Sequence, residues 1–142
     1  MANSEYKSII HYAGNEFFIG ISPSGHAQTI DSKGDRKAAT TPLEMLLTAV
    51  GACTAVDVVS ILAKKRQDVT DYRVEVTGTR REEYPRKFTK MHVHHIVYGR
   101  NVSAQSVEQA IKLSDEKYCS VAATVRPTVE ITTSFEIIEV DL

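Results

Sequence analysis

The 142-residue chain has no tryptophan, only two cysteines and four prolines, and just 7% of its residues are aromatic. It also has almost no excess charge, with 17 basic residues against 18 acidic ones. Each shortage removes a class of protein. Two cysteines, Cys53 and Cys119, are too few to staple a secreted disulfide scaffold, and they form no CxxC motif. A formal charge of −1 supports neither a nucleic-acid footprint nor a polybasic membrane anchor. The amino terminus, Met1-Ala2-Asn3-Ser4-Glu5, has no positive region followed by an apolar run, so no secretory signal is expected. The uncharged stretch between Glu44 and Asp57 falls well short of the roughly 20 residues of a membrane span. No repeat, linker, phosphate loop, dinucleotide fingerprint or nucleophile elbow is present. The expectation is one cytoplasmic domain over residues 1–142, long enough to bury about two-thirds of its unfolded surface.

What is there is punctuated periodicity. Residues 5–12, 15–21 and 26–31 predict three short strands, divided by Gly14 and by Ser22-Pro23-Ser24-Gly25. Residues 71–79 alternate, with Tyr72, Val74 and Val76 on one face and Arg73, Glu75 and Thr77 on the other. Residues 88–98 predict a second long strand, with Met91, Val93 and Val97 sharing a face. The charged segment between them, Arg80 to Lys87, reads as a solvated hairpin loop. Residues 104–117 predict a helix capped by Ser103, with Val107, Ala110 and Ile111 as its apolar stripe. A short helix over 119–126 and a last strand over 128–139 complete the chain.

The segment from Thr41 to Lys64 is the most informative. Thr41 as cap, Pro42 at the first helical position and Glu44 three residues after the cap form a helix start with a capping box. The helix then fails to be amphipathic, since Leu43, Leu47, Val50 and Ile61 line one side and Met45, Ala49, Ala52 and Val56 the other. A helix apolar all round is buried all round. A domain this small struggles to surround it, so a second subunit in a twofold dimer is expected to cover part of it.

Cys53 lies inside that helix, in Gly51-Ala52-Cys53, where small residues leave room beside the sulfur. Free cysteine is most often a small buried hydrophobe, inert when no cation lowers its pKa. Cys119 stands at the start of the short helix, where amide groups favour a thiolate. Whether the two sulfurs meet is left open by these residues alone.

Thr41-Pro42-Leu43-Glu44-Met45-Leu46-Leu47 followed by Gly51-Ala52-Cys53 resembles the helix motif of the osmotically inducible protein C / organic hydroperoxide resistance (OsmC/Ohr) superfamily. Tyr118-Cys119-Ser120-Val121 resembles its second cysteine motif. The order of elements agrees along essentially the whole chain. Asp57-Val58-Val59-Ser60-Ile61-Leu62 and Arg80-Arg81-Glu82-Glu83 point to one branch within it. The resemblance implies an α+β fold, with antiparallel sheets packed around a long central helix carrying Cys53, in an intertwined homodimer. It also implies a cysteine-based peroxidase acting on organic hydroperoxides, with Cys53 peroxidatic, Cys119 resolving and an external dithiol as reductant. No cofactor and no metal are implied. In the hydroperoxidase branches a carboxylate directly follows the motif proline and holds an arginine against the reactive sulfur. Here that position is Leu43, with Glu44 one residue and about 100° further round the helix. Glu44 and Arg36 are the nearest candidates for the activating pair.

Several other residues invite a role. His92 and His94 share a strand face about 7 Å apart and His95 adjoins them, yet a polar strand face holds histidines without a metal. His26 reads as an ordinary turn residue, and Tyr118 is expected to pack on the core. The alternative to an enzyme is a dimer of the same fold that binds a small acyl-like or lipid-like molecule or senses redox state without turnover.

Overall fold

The computed structural model describes residues 5–141. Met1 to Ser4, part of the terminus read above as lacking a secretory signal, lie outside it, as does Leu142. Contacts sort the chain into two units, Met1–Leu46 and Leu47–Leu142, with the boundary inside the first helix.

The first unit holds an antiparallel meander of β1 (Ile9–Gly14), β2 (Phe17–Ile21) and β3 (Ala27–Asp31) in that order. β1 begins later than expected. The β1–β2 turn uses three left-handed residues, Gly14 at φ 88°, Asn15 at 52° and Glu16 at 62°. The rings of Tyr12 and Phe18 pack across the two strands, 5.3 Å apart. Ile10, Phe18, Ile30, Pro42 and Met45 line an apolar concavity of about 380 Å³.

Helix α1 runs from Pro42 to Lys64 and opens with the expected capping box. Thr41 N–H donates to Glu44 Oε1 at 2.9 Å, and Glu44 N–H donates to Thr41 Oγ1 at 3.2 Å. Val50, Thr54, Val58 and Leu62, spaced by four, make its buried stripe. On the far side Val56 is 70% exposed and Val59 46%, so a single chain does not bury this helix all round. By length and composition alone α1 would suffice to cross a membrane. Its uncharged run is shorter, because Asp57 interrupts it midway.

The second unit continues with β4 (Asp68–Arg80), β5 (Phe88–Arg100), α2 (Ala104–Leu113), a π-helical turn (Ser114–Tyr118), α3 (Ser120–Val125) and β6 (Glu130–Glu139). Its sheet has the order β4-β5-β6. β4 and β5 are antiparallel, but β6 pairs with β5 in parallel, which corrects the expectation of purely antiparallel sheets. The cause is the connection. A helical crossover returns the chain to the end of the sheet where β5 began, so the next strand must run the same way. The expected helix over 104–117 is also divided. Ser103 caps α2 as expected, accepting from Ser106 N–H at 3.2 Å, while the last turn widens to π geometry.

The core joins Val58 and Leu62 of α1, Val97 of β5, and Val107, Ala110 and Ile111 of α2. Burial of each such aliphatic side chain contributes roughly 1.5–3 kcal/mol. Gly51 explains how α1 approaches the sheet, since a Cβ there would stand 2.8 Å from Val76 Cγ2. The space beside Gly51 belongs to β4 and not, as the sequence suggested, to the Cys53 sulfur.

Candidate functional site

The π-helical turn decides where the second cysteine sits. It inserts an extra residue into the end of α2, and the Cys119 N–H then donates to the Ser114 carbonyl at 2.8 Å. Cys119 becomes the N-cap of α3, and its sulfur accepts the Ala122 N–H at 3.4 Å. Cys119 is 4% exposed, whereas Cys53, on α1, is half-buried. Both are free, and Cys53 is near enough to Cys119 to influence its thiol.

Burial pushes the Cys119 thiol up to about 11. The single Ala122 N–H opposes this, while the hydrogen bond with Cys53 and the negative charge of Asp57 add to it. The expectation that amides at the start of α3 would favour a thiolate at Cys119 is therefore overturned. One long N–H···S bond does not offset desolvation. Cys119 is a protonated thiol at neutral pH.

Beside the sulfurs lies a polar cluster that the sequence did not single out. Ser114, fully buried, donates its hydroxyl to Asp57 Oδ2 at 2.8 Å and stands 2.9 Å from Thr54 Oγ1. A serine hydroxyl has one proton, so Thr54 is the donor to Ser114. Thr54 directly follows Cys53 in α1, and Asp57 lies one turn further on. A signal for Asp57 was present, since it is the only charged residue between Glu44 and Lys64. For Thr54 and Ser114 nothing local distinguished them from solvent-facing hydroxyls.

Two cavities flank this cluster. A void of about 10 Å³, no more than one water in size, lies among Val50, Thr54, Val93, Cys119 and Ala122. On the outer side of α1, Val56, Asp57, Ile61, Leu113 and Tyr118 line an open groove of about 460 Å³ that also reaches Lys64. Tyr118 is 50% exposed there, with the Lys117 ammonium 5.3 Å from its ring centroid, so it does not pack into the core as expected.

The other candidates are engaged locally. The Glu44 carboxyl is held below its ordinary range by the Thr41 amide and hydroxyl of its capping box. Arg36 forms a forked pair with the buried Asp31, donates to the Asn15 carbonyl at 2.8 Å, and lies 5.0 Å from the Phe17 ring centroid. His92 meets Thr132 Oγ1 at 2.6 Å and Ser134 Oγ at 2.7 Å, and His94 shares that Ser134 oxygen at 2.7 Å. His95 departs from this polar face. It is fully buried, with Nδ1 at 2.5 Å from the Tyr72 hydroxyl and Nε2 without a partner. His26 is an exposed turn residue bonded to Ser24 at 2.9 Å. Among the described residues no group of three His, Cys, Asp or Glu side chains is placed to hold a metal.

Residues 33–134 match the family model described as OsmC-like protein. Protein YhfA of Escherichia coli (strain K12) is 50% identical over 121 residues, covering 85% of this chain and 90% of that protein. A crystal structure of a protein from Aquifex aeolicus VF5 superposes with a TM-score of 0.87 at 32% identity, covering 98% of this chain and 100% of that one. The organic hydroperoxide resistance protein OhrB of Bacillus subtilis shares the fold, with a TM-score of 0.63 at 13% identity over 93% of this chain and 98% of that one.

Proposed function

Because the chain belongs to the OsmC-like protein family, we propose that it is a thiol-dependent peroxidase that reduces organic hydroperoxides through Cys53 and Cys119. The observation that supports this reading is the nearness of two free thiols of unequal character, one half-buried and one buried and held protonated. In the first step the Cys53 thiolate attacks the O–O bond, a sulfur–oxygen bond forms, and the alkoxide leaves as alcohol after taking a proton. Cys53 is then a sulfenic acid, oxidised by two electrons. In the second step the Cys119 sulfur bonds to Cys53, the S–O bond breaks, and the Cys119 proton leaves with the hydroxyl as water. An external dithiol takes up the disulfide's oxidation and restores both thiols. Cytoplasmic thiol reductants suit that last step, and the cytoplasm is our proposed location.

The apolar neighbours of Cys53 on α1, Ala49, Ala52 and Val56, favour a peroxide with an alkyl group over hydrogen peroxide. The same exposed side of α1, with Val56 and Val59, supports a homodimer in which a second copy covers it. A reading without turnover rests on a different observation, the apolar concavity of the first unit, which has room for a small acyl-like ligand.

Consumption of cumene hydroperoxide by the purified protein with dithiothreitol tests the proposal. Turnover that disappears in Cys53→Ser is the expected result. Turnover unchanged in Cys53→Ser, or none in the wild type alongside a co-purifying acyl ligand, overturns it.

A further inference from the structure

We propose that Ser114 is the positioning residue of the cysteine pair, holding Cys119 against Cys53 by bonding in two directions at once. This rests on the reading that the two cysteines form a disulfide. Toward Cys119, the Ser114 carbonyl accepts the Cys119 amide at 2.8 Å across the π-helical turn. Toward α1, its hydroxyl donates to Asp57 Oδ2 at 2.8 Å and accepts from Thr54 at 2.9 Å. Thr54 and Asp57 bracket the turn of helix that follows Cys53. One fully buried residue thus ties the backbone that carries one sulfur to the helix that carries the other.

α1 and α2 pack through Val58, Leu62, Val107, Ala110 and Ile111, and the Ser114 bonds fix the register nearer the sulfurs. A π-helical turn is rare and occurs frequently at functional sites. Here the Ser114 hydroxyl anchors it between a carboxylate and a second hydroxyl. A carboxylate acceptor makes the bond charge-assisted and therefore among the stronger ones. The consequence is a raised effective concentration of Cys119 at Cys53, because the ordering is complete before the S–S bond forms.

The test is thiol–disulfide exchange with glutathione, which needs no peroxide. The Cys53 thiolate attacks glutathione disulfide and releases one glutathione. The Cys119 sulfur then displaces the second, and the two protein protons pass to the two glutathiones. At half-oxidation, the square of the reduced glutathione concentration divided by that of glutathione disulfide gives the effective concentration of the pair. In the full-length protein, Ser114→Ala lowers that concentration about tenfold, the equivalent of one or two lost buried hydrogen bonds. Ser114→Thr, which restores the hydroxyl, recovers most of it. Leu62→Ala, a core truncation elsewhere in the unit, leaves the ratio unchanged although it destabilises the fold. If Ser114→Ala does not fold, Thr54→Val removes one of the two hydroxyl contacts with Ser114 in place, and a smaller drop in the same direction is expected. A folded Ser114→Ala, or Thr54→Val in its place, with the wild-type ratio overturns the assignment. A wild type that forms no 53–119 disulfide with glutathione overturns the cysteine pair together with it. A disulfide that weakens in Ser114→Ala, in a protein that consumes no hydroperoxide, sustains the role of Ser114 and removes only the peroxidase.

Discussion

Arg36 grips Asp31 through two N–H···O bonds, Nε to Oδ2 at 2.8 Å and Nη2 to Oδ1 at 2.7 Å. The backbone N–H groups of Lys33 and Ala38 complete the carboxylate's shell at 3.0 and 2.9 Å. Asp31 is buried, so this forked pair is what keeps it ionised in the fold. The remaining Arg36 contacts, to Asn15 and over Phe17, fasten the segment after β3 to the β1–β2 turn. Within the first unit, Arg36 is a fold-building residue.

That pairing predicts acid sensitivity. The Arg36 hydrogen bond, helped by two backbone amides, holds the Asp31 carboxyl well below the usual carboxylate range. The unfolded chain takes up this proton first. The pair's contribution is therefore complete above about pH 4–5 and is lost as pH falls below the ordinary aspartate value. Lysine cannot reproduce the fork. Urea midpoints measured from pH 3 to 7 should fall at the acid end for the wild type. Arg36→Lys should lower the neutral midpoint and shrink the acid drop. An Arg36→Lys protein with wild-type midpoints and lost peroxide turnover would instead return Arg36 to the role that the family resemblance implied.

A separate pH window belongs to His95. Burial, with the nearby charge of His94, pushes it down to about 4. The unfolded chain binds this proton below roughly pH 6.5 and the folded chain only near 4, so stability falls between those values and levels off beneath them. The full effect is up to about 3 kcal/mol. His95→Gln removes the titration while keeping a partner for Tyr72, and its thermal midpoint should vary less between pH 6.5 and 4. A slope unchanged by this substitution would mean that other groups govern the window.

How much of this was legible in the sequence depended on range. The start of α1 was readable because Thr41, Pro42 and Glu44 carry their signals within one turn. The alternation of Tyr72, Val74 and Val76 was readable because a strand face is a local property. The direction of β6 was not, for nothing within residues 130–139 records which end of β5 they will reach. His95 was grouped with His92 and His94 by adjacency, yet the pleat sends neighbours to opposite faces, and this one went to the core. The family resemblance named both cysteines. Ser114 stayed hidden because its partners, Thr54 and Asp57, come from a helix distant in sequence.

The unequal thiols predict ordered alkylation. Cys119 is 4% exposed and held protonated, with its value pushed to about 11, whereas Cys53 is half-buried. Only the thiolate reacts appreciably with iodoacetamide. One equivalent at pH 8, followed by peptide mass spectrometry, should mark Cys53 and leave Cys119 unmodified. Asp57→Asn removes a charge that helps keep the Cys119 proton in place. Labelling of Cys119 at pH 10 should then run several-fold faster than in the wild type, by about the factor expected for a nearby lost charge. Preferential labelling of Cys119 at pH 8 would reverse the assignment of roles.

Gly51 offers a test of how α1 seats on its sheet, because two effects compete there. In mid-helix, alanine is favoured over glycine by about 1 kcal/mol. At this position, however, the added Cβ would stand 2.8 Å from Val76 Cγ2 and 3.6 Å from Val74 Cγ1. Val76 is β-branched and fixed in a strand, so it gives way only by shifting helix against sheet. Overpacking of this kind costs about 1–3 kcal/mol and should exceed the helix gain. Gly51→Ala is therefore expected to destabilise the protein on urea denaturation. In a Val76→Ala background the obstruction is gone, and the same substitution should become neutral or stabilising. That change of sign is a coupling between two residues in contact, of the size found for neighbours. Equal effects in both backgrounds would show that α1 does not bear on β4 through this pair.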